Sequence, residues 1–173
     1  MLGFDSNALH AETALKLGIV DEVVAMEGVL RGDIIVLAVP VSACLDILPD
    51  LLDKVDAQVV TDVGSTKRSL CEVVSSHPRR DRYVTAHPMA GTEFSGPWAA
   101  KSGLFDGCAV IICDKNDSAP DAVNAVESLF GALHMRPVYM DSMEHDMHAA
   151  YVSHISHISS FALALTTLEK EAN

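Results

Sequence analysis

Apolar runs alternate with amphipathic stretches over the first 141 residues. The run "DIIVLAVP" (33–40) is a continuous apolar run, which is typical of strands buried on both faces in a parallel sheet, and "AQVVTDVGS" (57–65) indicates another buried strand. The pattern predicts strands at 1–5, 33–40, 57–65, 82–87, 108–114 and 136–141. It predicts helices at 7–17, at 41–54 with Ser42 as a candidate N-cap, at 65–77 with Leu70, Val73 and Val74 on one side, and at 119–134. Strands alternating with helices imply βαβ units, so we predict an α/β fold with a doubly wound parallel sheet.

The chain changes character after Asp141. Residues 142–173 contain no glycine or proline, which predicts one long helix. Four histidines lie on one broad side of this helix: His145, His148, His154 and His157. A metal site would need a carboxylate or thiolate in register, and only Glu144 and Asp146 are near, so we expect no metal. The histidines are then either partly buried and hydrogen-bonded, or presented to a cleft on the α/β domain.

The composition narrows the class of partner. Lys and Arg total 12 against 24 Asp and Glu, and a formal net charge of −12 argues against nucleic acid or an anionic membrane as partner. Hydrophobic residues make up 49% of the chain, enough for a large core and some apolar surface for a partner. No apolar run approaches the roughly 18 residues that span a bilayer, and no signal peptide opens the chain. We expect a cytoplasmic protein whose four cysteines are buried, reduced thiols: Cys44, Cys71, Cys108 and Cys113.

The first candidate for chemistry is His87, in the stretch "TAHPMAGTEFSG". It ends an apolar strand and precedes a loop rich in small residues. Ligand clefts of α/β folds lie at strand ends, so His87 is a candidate catalytic residue. The alternative is a surface histidine in an ordinary loop. A second candidate is Asp5, since an acidic residue that ends a strand holds the ribose in dinucleotide folds. The chain contains no GxGxxG motif to support that interpretation.

Several segments together resemble the prephenate dehydrogenases of tyrosine biosynthesis. They are "GFDSN" with "ALKLGIVDEV", "LAVPVSA", "TDVGSTK", "AHPMAGTEFSG" and "HDMHAAYVSHISHISS", and they follow the family order across nearly the whole chain. The resemblance implies a Rossmann-like dinucleotide-binding domain at 1–141. It also implies that 142–173 is the first helix of a helical substrate and dimerisation domain. The implied reaction is the NAD-dependent oxidative decarboxylation of prephenate to 4-hydroxyphenylpyruvate.

The same resemblance implies roles for individual residues. His87 matches the catalytic histidine, which accepts the hydrogen bond or proton of the substrate hydroxyl, and Ser65 matches the serine that orients it and contacts substrate or nicotinamide. Asp5 matches the ribose-binding acid, which favours NAD over NADP because a carboxylate repels a 2′-phosphate. The remaining matches are Val39 and Pro40 along the cofactor, and Thr92, Glu93, His154 and His157 at the substrate pocket.

Two family features have no counterpart in the sequence, namely the first strand with its glycine-rich phosphate loop and the arginine that holds a substrate carboxylate. We therefore expect a truncated domain that binds NAD weakly and does not turn over prephenate by itself. The family also implies a homodimer formed through the last helix. Two alternatives stay open: an arogenate dehydrogenase, and a non-catalytic remnant or interaction module of the same fold.

Overall fold

The computed structural model describes residues 1–92 and 94–151. Its strands are β1 (Leu2–Gly3), β2 (Glu22–Val23), β3 (Ile34–Leu37), β4 (Val59–Asp62), β5 (Tyr83–Pro88), β6 (Ala109–Cys113) and β7 (Arg136–Met140). Its α-helices are α1 (Ala8–Lys16), α2 (Val41–Leu52), α3 (Arg68–Val73), α4 (Pro120–Ala132) and α5 (Ser142–Ala149). The predicted alternation of strands and helices is confirmed, and β2 is a short strand that the apolar pattern did not indicate.

The strands form two sheets. β3, β4, β5, β6 and β7 lie side by side in that order, and β1 pairs in parallel with β2 in a separate sheet. All pairs in the larger sheet are parallel except β5 with β6. The prediction of a wholly parallel sheet is therefore wrong at this one pair. In the described part of 89–108, the only helix is the short 3₁₀ helix Pro97–Ala99, and without a crossover helix the chain re-enters the sheet in the opposite direction.

The core has one cluster on each face of the larger sheet. One contains Leu48 and Leu52 of α2 against Val60 and Tyr83 of the sheet. The other packs α4 on the side chains that alternate with these, such as Val84 and Ile112. Because strand side chains alternate between faces, Tyr83, Thr85 and His87 of β5 share the face on which α2 and α3 pack.

Three local predictions are wrong. Val36 of β3 is 44% exposed rather than buried, because β3 ends the sheet and α4 contacts β4, β5 and β7 instead. Ser42 does not cap α2, whose N-cap is Pro40 without a side-chain hydrogen bond. Val73 is 46% exposed although Leu70 and Val74 are fully buried, because α3 ends at Val73 and its last turn reaches solvent.

Helix α5 leaves the sheet where the sequence predicts, after Asp141. The Asp141 side chain caps it by accepting hydrogen bonds from the backbone N–H groups of Met143 and Glu144. The α-helix runs to Ala149, and the part of the predicted long helix beyond residue 151, with His154 and His157, lies outside the described residues. None of the helices in the described ranges is long and apolar enough to cross a membrane.

Candidate functional site

His87 lies at the carboxyl end of β5, as predicted, and its side chain meets helix α5. Its Nδ1 is 2.9 Å from Nε2 of His145, and the two rings meet edge to face, with their centroids 5.1 Å apart. His87 is half-buried, whereas His145 is only 1% exposed. His145 is therefore buried and hydrogen-bonded, which is the first of the two interpretations of the helix histidines, and one of its partners is His87.

Asp146 of helix α5 contacts His145 and also the start of helix α3. Its Oδ1 lies 2.8 Å from Nδ1 of His145. The same carboxylate accepts hydrogen bonds from the backbone N–H groups of Lys67, at 2.7 Å, and Arg68, at 3.0 Å. These N–H groups belong to the first turn of α3, which has no side-chain cap of its own. Asp146 therefore caps α3 from α5 and ties the β4–α3 turn to the histidine pair.

A buried ion pair lies beside the histidines. The Lys67 ammonium contacts the Asp62 carboxylate, and both side chains are fully buried. Lys67 also donates to the carbonyl oxygen of Ala86 at 2.8 Å, and Tyr83 donates from its hydroxyl to Asp62 at 2.7 Å. A buried charge pair is tolerated when its remaining lone pairs and protons are satisfied in this way. The pair fixes the end of β4 to the last residues of β5, directly before His87.

The turn after β4 requires glycine at position 64. A Cβ there would lie 2.9 Å from Cγ2 of Val41 and 3.1 Å from a carboxylate oxygen of Asp62. The Gly64 N–H donates to Asp62 at 2.9 Å, so the backbone packs closely against the ion pair. The next residue, Ser65, is exposed, and within the described ranges no hydrogen bond holds its side chain. Ser65 thus lies after β4, beside the strand that carries His87, but no hydrogen bond joins the two side chains.

The surroundings of His87 favour its neutral form. Burial is the largest cause, followed by the neighbouring His145 and the Lys67 ammonium, and together they lower the pKa of His87 to about 4. The carboxylates of Asp62 and Asp146 act in the opposite direction. Burial alone would raise the pKa of Asp146, but hydrogen bonds from His145, Lys67 and Arg68 outweigh it and the pKa is lowered. At neutral pH the site therefore holds an uncharged imidazole and an ionised Asp146.

The cofactor candidates lie on a different part of the molecule. Asp5 follows β1 and is exposed; its carboxylate accepts from the Asn7 N–H at 2.8 Å and lies 3.4 Å from Nδ1 of His10. Val39 and Pro40 are exposed directly after β3. An exposed carboxylate at a strand end is the acceptor that ribose hydroxyls require, so Asp5 fits the adenosine end of a dinucleotide.

The loop after His87 returns to this second region. The ring of Trp98 meets the ring of His10 edge to face at 5.2 Å, so the loop contacts helix α1 beside Asp5. Thr92 is exposed and its hydroxyl accepts from the Phe94 N–H at 3.3 Å. Glu93, like His154 and His157, lies outside the described residues.

Sequence reasoning missed Asp62, Lys67 and Asp146 as parts of the site. A charged residue at the end of a fully apolar strand, followed five positions later by a lysine, is the signal that could have indicated the buried pair. The sequence pattern indicated Asp146 only as a possible metal ligand. In the described ranges no group of three or more metal-ligating side chains comes together.

A mostly parallel α/β sheet with a histidine at a strand end, together with a carboxylate after the separate strand β1, is typical of a Rossmann-like nucleotide-binding domain. The family described as "Prephenate dehydrogenase, nucleotide-binding domain" matches residues 1–139. The chain belongs to the prephenate dehydrogenase family.

Individual relatives agree with this assignment. A prephenate dehydrogenase of Lactococcus lactis is 32% identical over 151 residues, which is 84% of this chain. A cyclohexadienyl dehydrogenase of Zymomonas mobilis is 28% identical over 136 residues, which is 77% of this chain and 46% of the relative. The crystal structure of prephenate dehydrogenase from A. aeolicus, in complex with hydroxyphenyl propionate and NAD+, has a TM-score of 0.84 at 28% identity. That match covers 97% of this chain and 60% of the A. aeolicus chain. This chain spans 40% of the Lactococcus lactis relative.

Proposed function

We propose that this chain forms the cofactor-binding and catalytic-histidine portion of an NAD-dependent prephenate dehydrogenase, which converts prephenate to 4-hydroxyphenylpyruvate and CO2 in tyrosine biosynthesis. The observation that carries the proposal is His87 at the end of β5, half-buried, joined to His145 and held neutral at physiological pH. A neutral imidazole at a strand end is the group that the first chemical step of this reaction needs.

The chemistry assigns His87 a definite task. The hydroxyl on C4 of prephenate must give up its proton while hydride leaves the same carbon, and an uncharged imidazole nitrogen can accept it. His87 contacts His145 through Nδ1, which leaves Nε2 for the substrate. The nicotinamide, when bound, takes the hydride. Aromatisation of the ring then drives loss of the carboxylate as CO2, so the step needs neither a metal nor a second acid.

Asp5 is the proposed holder of the adenosine ribose, with Val39 and Pro40 beside the cofactor. The carboxylate is exposed and only partly engaged by the Asn7 N–H and His10, so it can accept from ribose hydroxyls. A 2′-phosphate would be repelled there, which favours NAD over NADP. The bound NAD+ of the A. aeolicus relative supports the same cofactor for this chain.

Further assignments belong to the same proposal. Ser65 orients His87 and contacts substrate or nicotinamide, while Thr92, Glu93, His154 and His157 line the substrate pocket. The protein forms a homodimer through residues 151–170 and acts in the cytoplasm. The division into a nucleotide-binding domain at 1–141 and a helical domain from 142 onward is part of the proposal as well.

The substrate test separates the remaining candidates. NADH formation is measured for the full-length protein, because this chain spans 40% of its Lactococcus lactis relative, with prephenate and with arogenate. Turnover of prephenate supports the proposal. A strong preference for arogenate would reassign the substrate. No NADH with either substrate would favour a non-catalytic module.

A further inference from the structure

The histidine pair belongs to a hydrogen-bonded chain of three groups that runs from a carboxylate to the cleft. Asp146 lies 2.8 Å from Nδ1 of His145, and Nε2 of His145 lies 2.9 Å from Nδ1 of His87. We propose that Asp146 and His145 are positioning residues that hold His87 in the tautomer with its proton on Nδ1, so that Nε2 is the acceptor. What His87 then accepts rests on the proposed function.

Asp146 determines which group donates in each of these hydrogen bonds. This carboxylate is ionised, since it already accepts from the N–H groups of Lys67 and Arg68. An ionised carboxylate has no proton to donate, so Nδ1 of His145 must be the donor in their contact. Because the two backbone N–H groups also fix the position of the carboxylate, it cannot turn away from His145.

The tautomer of His145 determines the tautomer of His87. With its proton on Nδ1, a neutral His145 presents a lone pair at Nε2, and Nδ1 of His87 must then donate to it. The proton of His87 is thereby placed on Nδ1 and the lone pair on Nε2. This arrangement satisfies both ring nitrogens of His145 and Nδ1 of His87 without adding a charge, which matters because His145 is 1% exposed.

A doubly protonated His145 would reverse the result. Its Nε2–H would donate to Nδ1 of His87, and the proton of His87 would move to Nε2, where it could not accept from a hydroxyl. The titratable and charged groups around His87 are His145 and Asp146 on α5, and Asp62 and Lys67 at the β4–α3 turn. Lys67 already supplies a buried cation there, and it contacts Asp62 and donates to Ala86. A second buried cation is disfavoured beside it.

The test is ¹⁵N NMR of the imidazole nitrogens in the 173-residue chain at neutral pH, without substrate or cofactor. The expected spectrum of the wild-type chain shows protonated Nδ1 and unprotonated Nε2 for both His87 and His145. A proton on Nε2 of His87, or a doubly protonated His145, overturns the proposal. The wild-type spectrum is decisive even where a variant fails to fold.

Two variants sharpen the test. His145→Phe removes the acceptor, so His87 should shift towards the Nε2–H form that a free neutral imidazole prefers in water. His148→Phe is the matched control, since His148 is an exposed neighbour on the same helix whose nearest partner is Glu144. It should leave the His87 tautomer unchanged. An unchanged His87 tautomer in the folded His145→Phe chain also overturns the proposal.

Kinetics separates this inference from the proposed function. In the full-length protein, His145→Phe should lower kcat up to about a hundredfold with little change in KM for NAD. The tautomer is measured without catalysis, so a protein that does not oxidise prephenate can still show the predicted spectrum. Conversely, an active protein with Nε2–H on His87 would refute the inference and leave the reaction standing.

Discussion

The two regions implicated in function are built in opposite ways. Around His87, four buried side chains and the partly buried Asp146 are joined by hydrogen bonds; the buried ones are Asp62, Lys67, Tyr83 and His145. Around Asp5 the side chains are exposed, and the carboxylate has one backbone hydrogen bond and one contact to His10.

This difference indicates where the protein fixes geometry in advance. A group that takes part in chemistry must hold its position and protonation state before the substrate arrives. A group that only holds a ribose can be ordered by the ligand itself. We therefore expect substitutions near His87 to alter turnover and folding, and substitutions near Asp5 to alter cofactor affinity.

The largest effect should follow His87→Asn in the full-length protein. Loss of the acceptor should lower kcat by about two to four decades while NAD affinity changes little. Steady-state NADH formation and a separate NAD titration measure the two quantities. His148→Asn, an exposed histidine on α5, is the control and should retain activity. Turnover near that of the wild type in His87→Asn would remove the distinction between the two regions.

The buried pair should govern stability. Lys67→Met leaves the Asp62 carboxylate without its cation in a fully buried site, so the free energy of unfolding should fall by about 3–5 kcal/mol. Urea denaturation of the 173-residue chain measures this loss. Lys16→Met removes an exposed partner of Glu12 on α1 and serves as the control, with a far smaller change. Equal losses in the two variants would contradict the assignment of the fixed geometry to the His87 region.

The Asp5 region should respond in affinity alone. Asp5→Ser removes a charged acceptor for ribose hydroxyls, so NAD binding to the full-length protein should weaken by about 1.5–3 kcal/mol, with less discrimination against NADP. Calorimetric titration with each cofactor measures both effects. Glu12→Gln, on helix α1 after Asp5, is the control. A fall in kcat at saturating NAD equal to that of His87→Asn would show that the two regions are not separate.

The smallest effect should come from the loop contact between the regions. Trp98→Ala removes the edge-to-face contact with His10, which is worth about 0.5–1.5 kcal/mol for paired aromatic rings. Because Trp98 is 58% exposed, we expect only a few-fold rise in KM for NAD. The free energy of unfolding should fall by no more than this range. A loss of more than a hundredfold in kcat would mean that the loop contact helps to position His87.

The sequence predicted the strands and helices of the molecule better than the contacts around His87. The apolar runs that became β3, β4 and β5 and the strand-end position of His87 follow from period and burial alone. The antiparallel β5–β6 pair was missed because it depends on the path of a loop, which apolar spacing does not report. Likewise, a cap from Asp146 to α3 joins residues 78 positions apart, and no local pattern encodes such a contact.

The central claim is that His87 is an uncharged acceptor at neutral pH, and an NMR pH titration of its imidazole in the 173-residue chain tests it most directly. Burial, His145 and Lys67 disfavour the charged ring, so His87 should stay neutral at pH 7 and gain a proton only as the pH falls through about 4. A His87 pKa at or above about 6.5, the value of an unperturbed imidazole, would contradict the account, because the ring would then carry a proton in the range where it must accept one.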